Sequence, residues 1–254
     1  MPERASYTPG EFAWADLTTT DVPAAATFYG TLFGWQAEEL TEPGAGGYTM
    51  LTLDGRQVAA VAPKMGEDPG PSRWSVYVAS DDLEKTLELV TASGGTPLMP
   101  PLDIFDAGRM AMAADPAGAV IALWQAGTHH GAQLVDEPGA LTWVELATTD
   151  VAGAKAFYQA VFGWGLDEAG GGDYTEFTFG GKSVAGMMPK SPDMPADLPP
   201  YWMPYFQSDP DRLAGEITAL GGTLLVPPAD VPGAGGRFTV ATDPQGAVFG
   251  IYHP

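Results

Sequence analysis

Residues 14–35, WADLTTTDVPAAATFYGTLFGW, return as residues 143–164, WVELATTDVAGAKAFYQAVFGW, at a constant offset of 129. Each copy begins with alternating apolar and polar residues and reaches an aspartate, Asp21 or Asp150, that can cap a helix. Ala25, Phe28, Tyr29, Leu32 and Phe33 then recur at i, i+3, i+4, i+7 and i+8 before Gly34, as do Ala154, Phe157, Tyr158, Val161 and Phe162 before Gly163. The stretch therefore predicts a half-buried strand followed by an amphipathic helix, built twice. Phe28, Tyr29, Phe157 and Tyr158 fall on the apolar stripe and are expected to pack in the core.

Further matches extend the duplication to the whole chain. Pro63-Lys64 corresponds to Pro189-Lys190, Gly94-Gly95-Thr96 to Gly221-Gly222-Thr223, Pro100-Pro101 to Pro227-Pro228, and Asp115-Pro116 to Asp243-Pro244. Two domains are expected, 8–126 and 140–254, joined by a linker over 127–139. Each half contains a second strand-then-helix unit. Residues 74–80 alternate before Asp81 or Asp82, and the helix that follows carries Leu83, Leu87 and Val90. In the other half Asp209 precedes Pro210, Leu213, Ile217 and Leu220. Strands dominate elsewhere. Gly44–Gly47 and Gly170–Gly172 read as turns, and Asp54-Gly55 and Gly180-Gly181 as hairpin turns. The expected class is α+β, with four βαβββ modules. One helix per module cannot cover both faces of its sheet, so the other faces must curl around cavities or pack on another unit.

Composition narrows the function. A net charge of −21 repels phosphate backbones and anionic membrane surfaces, so neither nucleic acid nor a membrane is an expected partner. No apolar run is long enough to span a bilayer. The first residues, MPERASYTPGEF, lack the basic start and apolar centre of a secretory signal, which makes the cytoplasm the expected compartment. The chain has no cysteine, hence no thiolate chemistry, and only three histidines, His129, His130 and His253.

The ordered set of strand, Thr-Thr-Asp, Phe-Tyr helix, Phe-Gly-Trp and closing Asp-Pro-x-Gly strand resembles the vicinal oxygen chelate superfamily. Glyoxalase I, extradiol dioxygenases, fosfomycin-resistance enzymes and bleomycin-binding proteins belong to it. The resemblance covers nearly all of residues 11–253 and implies paired modules whose concave sheets form a ligand pocket. In the family's enzymes that pocket holds a divalent metal on His, Gln or Glu from the first and last strands of modules. The matching positions here are Trp14, Ser75, Ala122, Trp143, Met203 and Gly250, none of them a good ligand for such an ion. No metal and no other cofactor is therefore expected.

Strand parity gives the pocket wall independently. Ala15, Leu17, Val76, Val78, Val144 and Leu146 suit the helix-covered face. That turns Trp14, Asp16, Ser75, Tyr77, Trp143 and Glu145 the other way, together with Met203, Tyr205, Gln207, Ala122, Trp124, Gly250 and Tyr252. An aromatic wall with few polar groups fits a small organic ligand, with Ala122 and Gly250 leaving room. Glu145 and Asp16 are the candidate acid/base groups, since burial raises a carboxyl pKa, and Tyr205 and Tyr77 are candidates to polarise a carbonyl. The competing reading has the carboxyls paired with Arg109 or Arg237, or bonded to Tyr or backbone groups. His129 and His130 are expected to be solvent-exposed in the linker, and Arg109 and Arg237 to anchor loops by ion pairs. The leading expectation is a metal-independent protein binding a small planar or carbonyl-bearing metabolite, with lyase- or isomerase-type proton transfer if it is an enzyme. Non-catalytic sequestration, as in drug resistance, and a metal-dependent glyoxalase or dioxygenase are the alternatives. A monomer and a homodimer are equally compatible with the sequence.

Overall fold

Each copy of the repeated motif folds as its alternation and capping predict. A computed structural model describes residues 3–64, 66, 70–168, 174–191, 198–232 and 235–254. The turn read at Gly170–Gly172 lies outside them, as do Gly233 and Ala234. The first half runs β1 (Phe12–Thr19), α1 (Val22–Phe33), β2 (Gln36–Glu39), β3 (Thr49–Leu53), β4 (Arg56–Pro63), then β5 (Arg73–Ala79), α2 (Leu83–Ala92), β6 (Thr96–Ile104), β7 (Gly108–Ala114), β8 (Val120–Ala126). The second half runs β9 (Leu141–Thr148), α3 (Val151–Phe162), β10 (Gly165–Asp167), β11 (Thr175–Phe179), β12 (Lys182–Pro189), then β13 (Tyr201–Gln207), α4 (Pro210–Ala219), β14 (Thr223–Asp230), β15 (Arg237–Thr242), β16 (Val248–His253).

The helix starts are fixed by their aspartates. Asp21 accepts from the Ala24 amide at 3.0 Å, Asp150 from Gly153 at 2.9 Å, and Asp82, rather than Asp81, from Lys85 at 2.9 Å. Asp209 accepts from Asp211 and Arg212, with Pro210 at the first helical position. Gly34 and Gly163 end their helices in the left-handed conformation (φ 77° and 69°), which costs a residue with a Cβ about 1–2 kcal/mol.

Two modules share each sheet. The orders are β2-β3-β4-β1-β5-β8-β7-β6 and β10-β11-β12-β9-β13-β16-β15-β14, so the first strands of paired modules lie side by side and antiparallel, and neither sheet closes into a barrel. The helix-covered faces of both sheets close on one core that includes Leu17, Phe28 and Tyr29 of the first half with Phe157, Tyr158 and Phe206 of the second. Polar ties cross this core. Tyr29 donates to Asp243 Oδ2 at 3.1 Å and Tyr158 to Asp115 Oδ2 at 3.2 Å, while the Trp74 and Trp202 indoles donate to those same tyrosines. Trp35 donates to the Gly139 carbonyl and Trp164 to that of Gly10, each reaching the residue ahead of the other half's first strand. Each Asp-Pro aspartate also accepts two amides of its own turn through Oδ1, so the motif both shapes the turn and receives the opposite helix. No helix among the described residues is long and apolar enough to cross a membrane.

Because the core is shared, urea should unfold both halves in one transition. Tyr158→Phe leaves Asp115 Oδ2 and the Trp202 indole without a buried partner, and a loss of about 1–3 kcal/mol is expected. Two separate transitions, with only the second half affected, would contradict the shared core.

Candidate functional site

With the helix faces turned inward, the opposite faces of the two sheets carry the residues that parity assigned to them. Trp14, Tyr77, Ala122 and Trp124 form one apolar cluster with Tyr48 and Met110, and Met203 and Tyr205 form another with Trp143, Tyr201, Phe238 and Tyr252. Register centres each cluster on a carboxyl. Asp16 pairs with Ser75 on β5 and with Ala60 on β4; Trp14 pairs with Tyr77, which pairs with Ala122. In the second half Glu145 pairs with Met203 and Gly186, Trp143 with Tyr205, and Tyr205 with Gly250. Gln207 stands at the end of β13, opposite Tyr252. All thirteen predicted site residues thus fall on these two faces.

The carboxyls are buried and held by tyrosines, and Arg109 and Arg237 pair elsewhere. Tyr77 donates to Asp16 Oδ2 at 2.7 Å and Tyr48 donates to the same oxygen at 3.4 Å, itself accepting the Trp14 indole at 3.1 Å. The second half repeats the arrangement. Tyr205 donates to Glu145 Oε1 and Tyr174 to Oε2, both at 3.0 Å, and the Trp143 indole donates to Tyr174 at 3.1 Å. Loss of water on burial is the largest influence on both acids. It pushes Asp16 up to about 6, against the tyrosine and Ser75 hydrogen bonds that lower it, and it raises Glu145 despite Tyr174 and Tyr205. The same burial, reinforced by the adjacent carboxylates, holds the tyrosine hydroxyls well above their usual range, so they remain donors.

Tyr48 and Tyr174 are site residues that parity did not find. Each immediately precedes a strand, β3 or β11, and reaches the carboxyl across the neighbouring strand: Met50 pairs with Ala60 and Ala60 with Asp16, as Glu176 pairs with Gly186 and Gly186 with Glu145. The matched Tyr-Thr after a glycine run in both copies is the signal that could have flagged them.

Two expectations need correction. His129 does not extend into solvent. Its ring stands edge-on to Trp14, with centroids 4.6 Å apart, and also meets Trp124, whose indole donates to the His129 carbonyl. Its Nδ1 contacts Gln57 Oε1 at 3.0 Å, its Nε2 is buried without a partner, and burial lowers its pKa to about 4. The linker folds back over the sheet, which its glycine-rich composition does not reveal. Nor does Gly250 leave open room, because a Cβ there would overlap the Tyr205 ring, which fills that space. Arg109 pairs with Glu84 and Asp103, and Arg237 with Asp211 and Asp230, all on the outside. Two other concavities lie away from the carboxyls. One, of about 510 Å³, lies along α2 and Pro97, and one, of about 300 Å³, lies between Tyr7, Asp81 and the outer edge of Trp124.

The places where the resemblance puts metal ligands carry Trp14, Ser75 and Ala122, and Trp143, Met203 and Gly250. No group of three or more His, Cys, Asp or Glu among the described residues could hold an ion. The donor set does not fit a divalent cation.

Comparison with known proteins places the chain. Residues 11–123 match the model of the glyoxalase/bleomycin resistance protein/dioxygenase superfamily, and residues 140–180 that of the bleomycin resistance protein-like N-terminal family. CFP32 of Mycobacterium tuberculosis, whose name makes it a candidate glyoxylase, is 44% identical over 100% of this chain and 98% of its own length. The anthracycline biosynthesis protein DnrV of Streptomyces peucetius is 38% identical, over 96% of this chain and 94% of its own. The fold is shared with the Mn(II)-bound glyoxalase of Novosphingobium aromaticivorans (TM-score 0.68, 15% identity, 96% of this chain and 82% of that one). It is shared also with the 2,3-dioxygenase LapB of Pseudomonas sp. KL28 (TM-score 0.67, 14% identity, 98% and 94%). Its repeated modules, its two eight-stranded sheets and these full-length relatives together make the chain a member of the glyoxalase/bleomycin resistance/dioxygenase superfamily.

Proposed function

We propose that this chain binds a small planar, carbonyl-bearing metabolite on a concave sheet face and, without a metal, moves a proton on it through Glu145 or Asp16. The carrying observation is the Glu145 carboxyl, buried at the centre of an aromatic wall with Tyr174 and Tyr205 as its hydrogen-bond donors. The relatives named for anthracycline biosynthesis support the ligand class, since anthracyclines are planar polycyclic quinones.

The chemistry follows from the two acids' environments. In its ionised form Glu145 accepts a proton from a C–H acidified by conjugation with a carbonyl, while a tyrosine hydroxyl, which stays protonated, turns its hydrogen bond to the developing enolate oxygen. Returning that proton to another carbon is an isomerisation; losing a leaving group instead is an elimination. Trp143 supplies a ring on which a flat ligand stacks. Burial raises both acids, Asp16 to about 6, so both protonation states of Asp16 are accessible near physiological pH.

Anthrone, a planar carbon acid with one carbonyl, is a suitable test compound. One or other of Glu145→Gln and Asp16→Asn, whichever removes the acid that faces the ligand, should slow its solvent-deuterium exchange by about 10²–10⁴-fold while changing affinity little. Full exchange activity in both variants would remove the proton-transfer role. Protein purified without chelator should carry far less than one equivalent of divalent metal, and EDTA should leave binding unchanged. A stoichiometric metal whose removal abolishes binding would favour the metal-dependent reading.

The pKa of Asp16 also has a consequence for stability. Between about pH 4 and pH 6 the folded chain keeps the Asp16 proton that the unfolded chain has released. Its contribution to stability is therefore lost as pH rises through that window, by at most roughly 3 kcal/mol. Asp115, Asp243 and Glu145, also raised, contribute slopes of the same sign. Asp16→Asn should flatten the fall in urea midpoint over this range, and an unchanged slope would contradict the burial effect.

A further inference from the structure

Resting on the reading of the concave faces as ligand sites, we propose that the two copies have divided. The trough around Glu145 takes the ligand, and the trough around Asp16 is stoppered by the segment that joins the halves, His129 to Val135.

The two carboxyls are almost equally buried, Asp16 at 7% exposure and Glu145 at 8%, so the difference lies in the walls. Trp14 and Trp124 are only 3% and 7% exposed, whereas their counterparts Trp143 and Tyr252 are partly open. What covers the first pair is the joining segment. The His129 ring packs on both indoles, Ala132 is fully buried in their cluster, and Val135 packs against it. Among the described residues, the corresponding cluster in the second trough is built of sheet strands.

Backbone bonds seat the segment firmly. The Ala132 amide donates to the Ala13 carbonyl and the Gln133 amide to that of Gln57, both at 2.7 Å; Ala13 is the residue skipped in the β1–β5 register. The Gln57 amide answers with a bond to Gln133 Oε1 at 2.7 Å, and Tyr7 donates to the Ala132 carbonyl at 2.6 Å. Gly131 makes the approach possible, for at its φ of 123° a Cβ would run into the Ala13 carbonyl and the Tyr7 ring. Ser75, at the other end of the trough, stays partly exposed, so the segment closes the indole end, where a flat ligand would stack. A ligand there would have to displace a tethered competitor whose effective concentration is of millimolar order, and break its hydrogen bonds. In the Glu145 trough Trp143 and Tyr252 are already partly exposed, with no such segment over them among the described residues.

The chain has no cysteine, so single thiols report access without background. Tyr252→Cys and Trp124→Cys occupy matching places on β16 and β8. A maleimide should label the first at least about tenfold faster than the second. Equal rates, or faster labelling of Trp124→Cys, would overturn the division. Should either variant fail to fold, deuterium exchange on the unmodified chain decides: the Ala132 and Gln133 amides should exchange as slowly as those of β1, and exchange at loop rates would mean that the segment is not seated. Titration with the anthraquinone quinizarin separates this inference from the reading it rests on. One equivalent bound, with protection of β9 and β13, supports both. Two equivalents, with β1 and β5 protected as well, keep ligand binding and overturn the division. No binding counts against the ligand class, and the labelling and exchange rates still decide the division.

Discussion

The crossed ties through the shared core are the constraint on which the rest depends. Each helix that completes one half also reaches the other: Tyr29 of α1 meets Asp243, and Tyr158 of α3 meets Asp115. Neither half alone supplies the tyrosine donor to Oδ2 of its Asp-Pro aspartate or the carboxylate acceptor of its buried tyrosine, and leaving such groups unpaired in a core costs about 1–3 kcal/mol each. The apolar faces are therefore committed to one another. Among the described residues, the sheet faces left for chemistry are the opposite ones, which carry Asp16 and Glu145.

On those surfaces the two copies use one arrangement with small differences that matter electrostatically. Asp16 concentrates both tyrosine bonds on one oxygen, with Ser75 as a further donor to the carboxyl. Glu145, one methylene longer, spreads them over two oxygens, and its neighbour across the sheet is Met203, whose thioether offers no proton. The two acids therefore differ in how many donors stabilise their charged forms, although both lose water to the same extent. A duplicated scaffold can keep its geometry and still surround its two acids with different donors.

Much of this was legible in the sequence because strands and helices encode facing directly. Alternation put Trp14, Asp16, Trp143 and Glu145 on one face, and the capping aspartates with their glycine stops bounded the helices. What was not legible depends on approach through space. Tyr48 lies 32 residues from Asp16 and meets it only because β3, β4 and β1 pair side by side in this register. His129 sits in a stretch whose glycines and charges read as a solvated linker, yet backbone carbonyls at Ala13 and Gln57 draw that stretch across the sheet. The partners of Tyr29 and Tyr158 lie in the opposite half, which periodicity within one helix cannot specify. Turn chemistry at Asp54-Gly55 and Gly180-Gly181 was readable because their positive φ angles are a local demand.

The glycine at position 186 shows why the tyrosine-held carboxyl and a cation site are alternative uses of the same scaffold. It lies beside Glu145 in register on the last strand of its module, one of the strands from which the family's metal enzymes draw ligands. A Cβ at Gly186 would overlap the Tyr174 hydroxyl and crowd the Trp143 indole. Any ligating side chain there would therefore expel Tyr174 and remove one of the two bonds that hold Glu145. Gly250 repeats the logic with the Tyr205 ring. A chain that placed ligands at these positions would lose the donors that position its acid. A chain that keeps the donors, as this one does, has filled with phenol rings the space that ligating side chains would need.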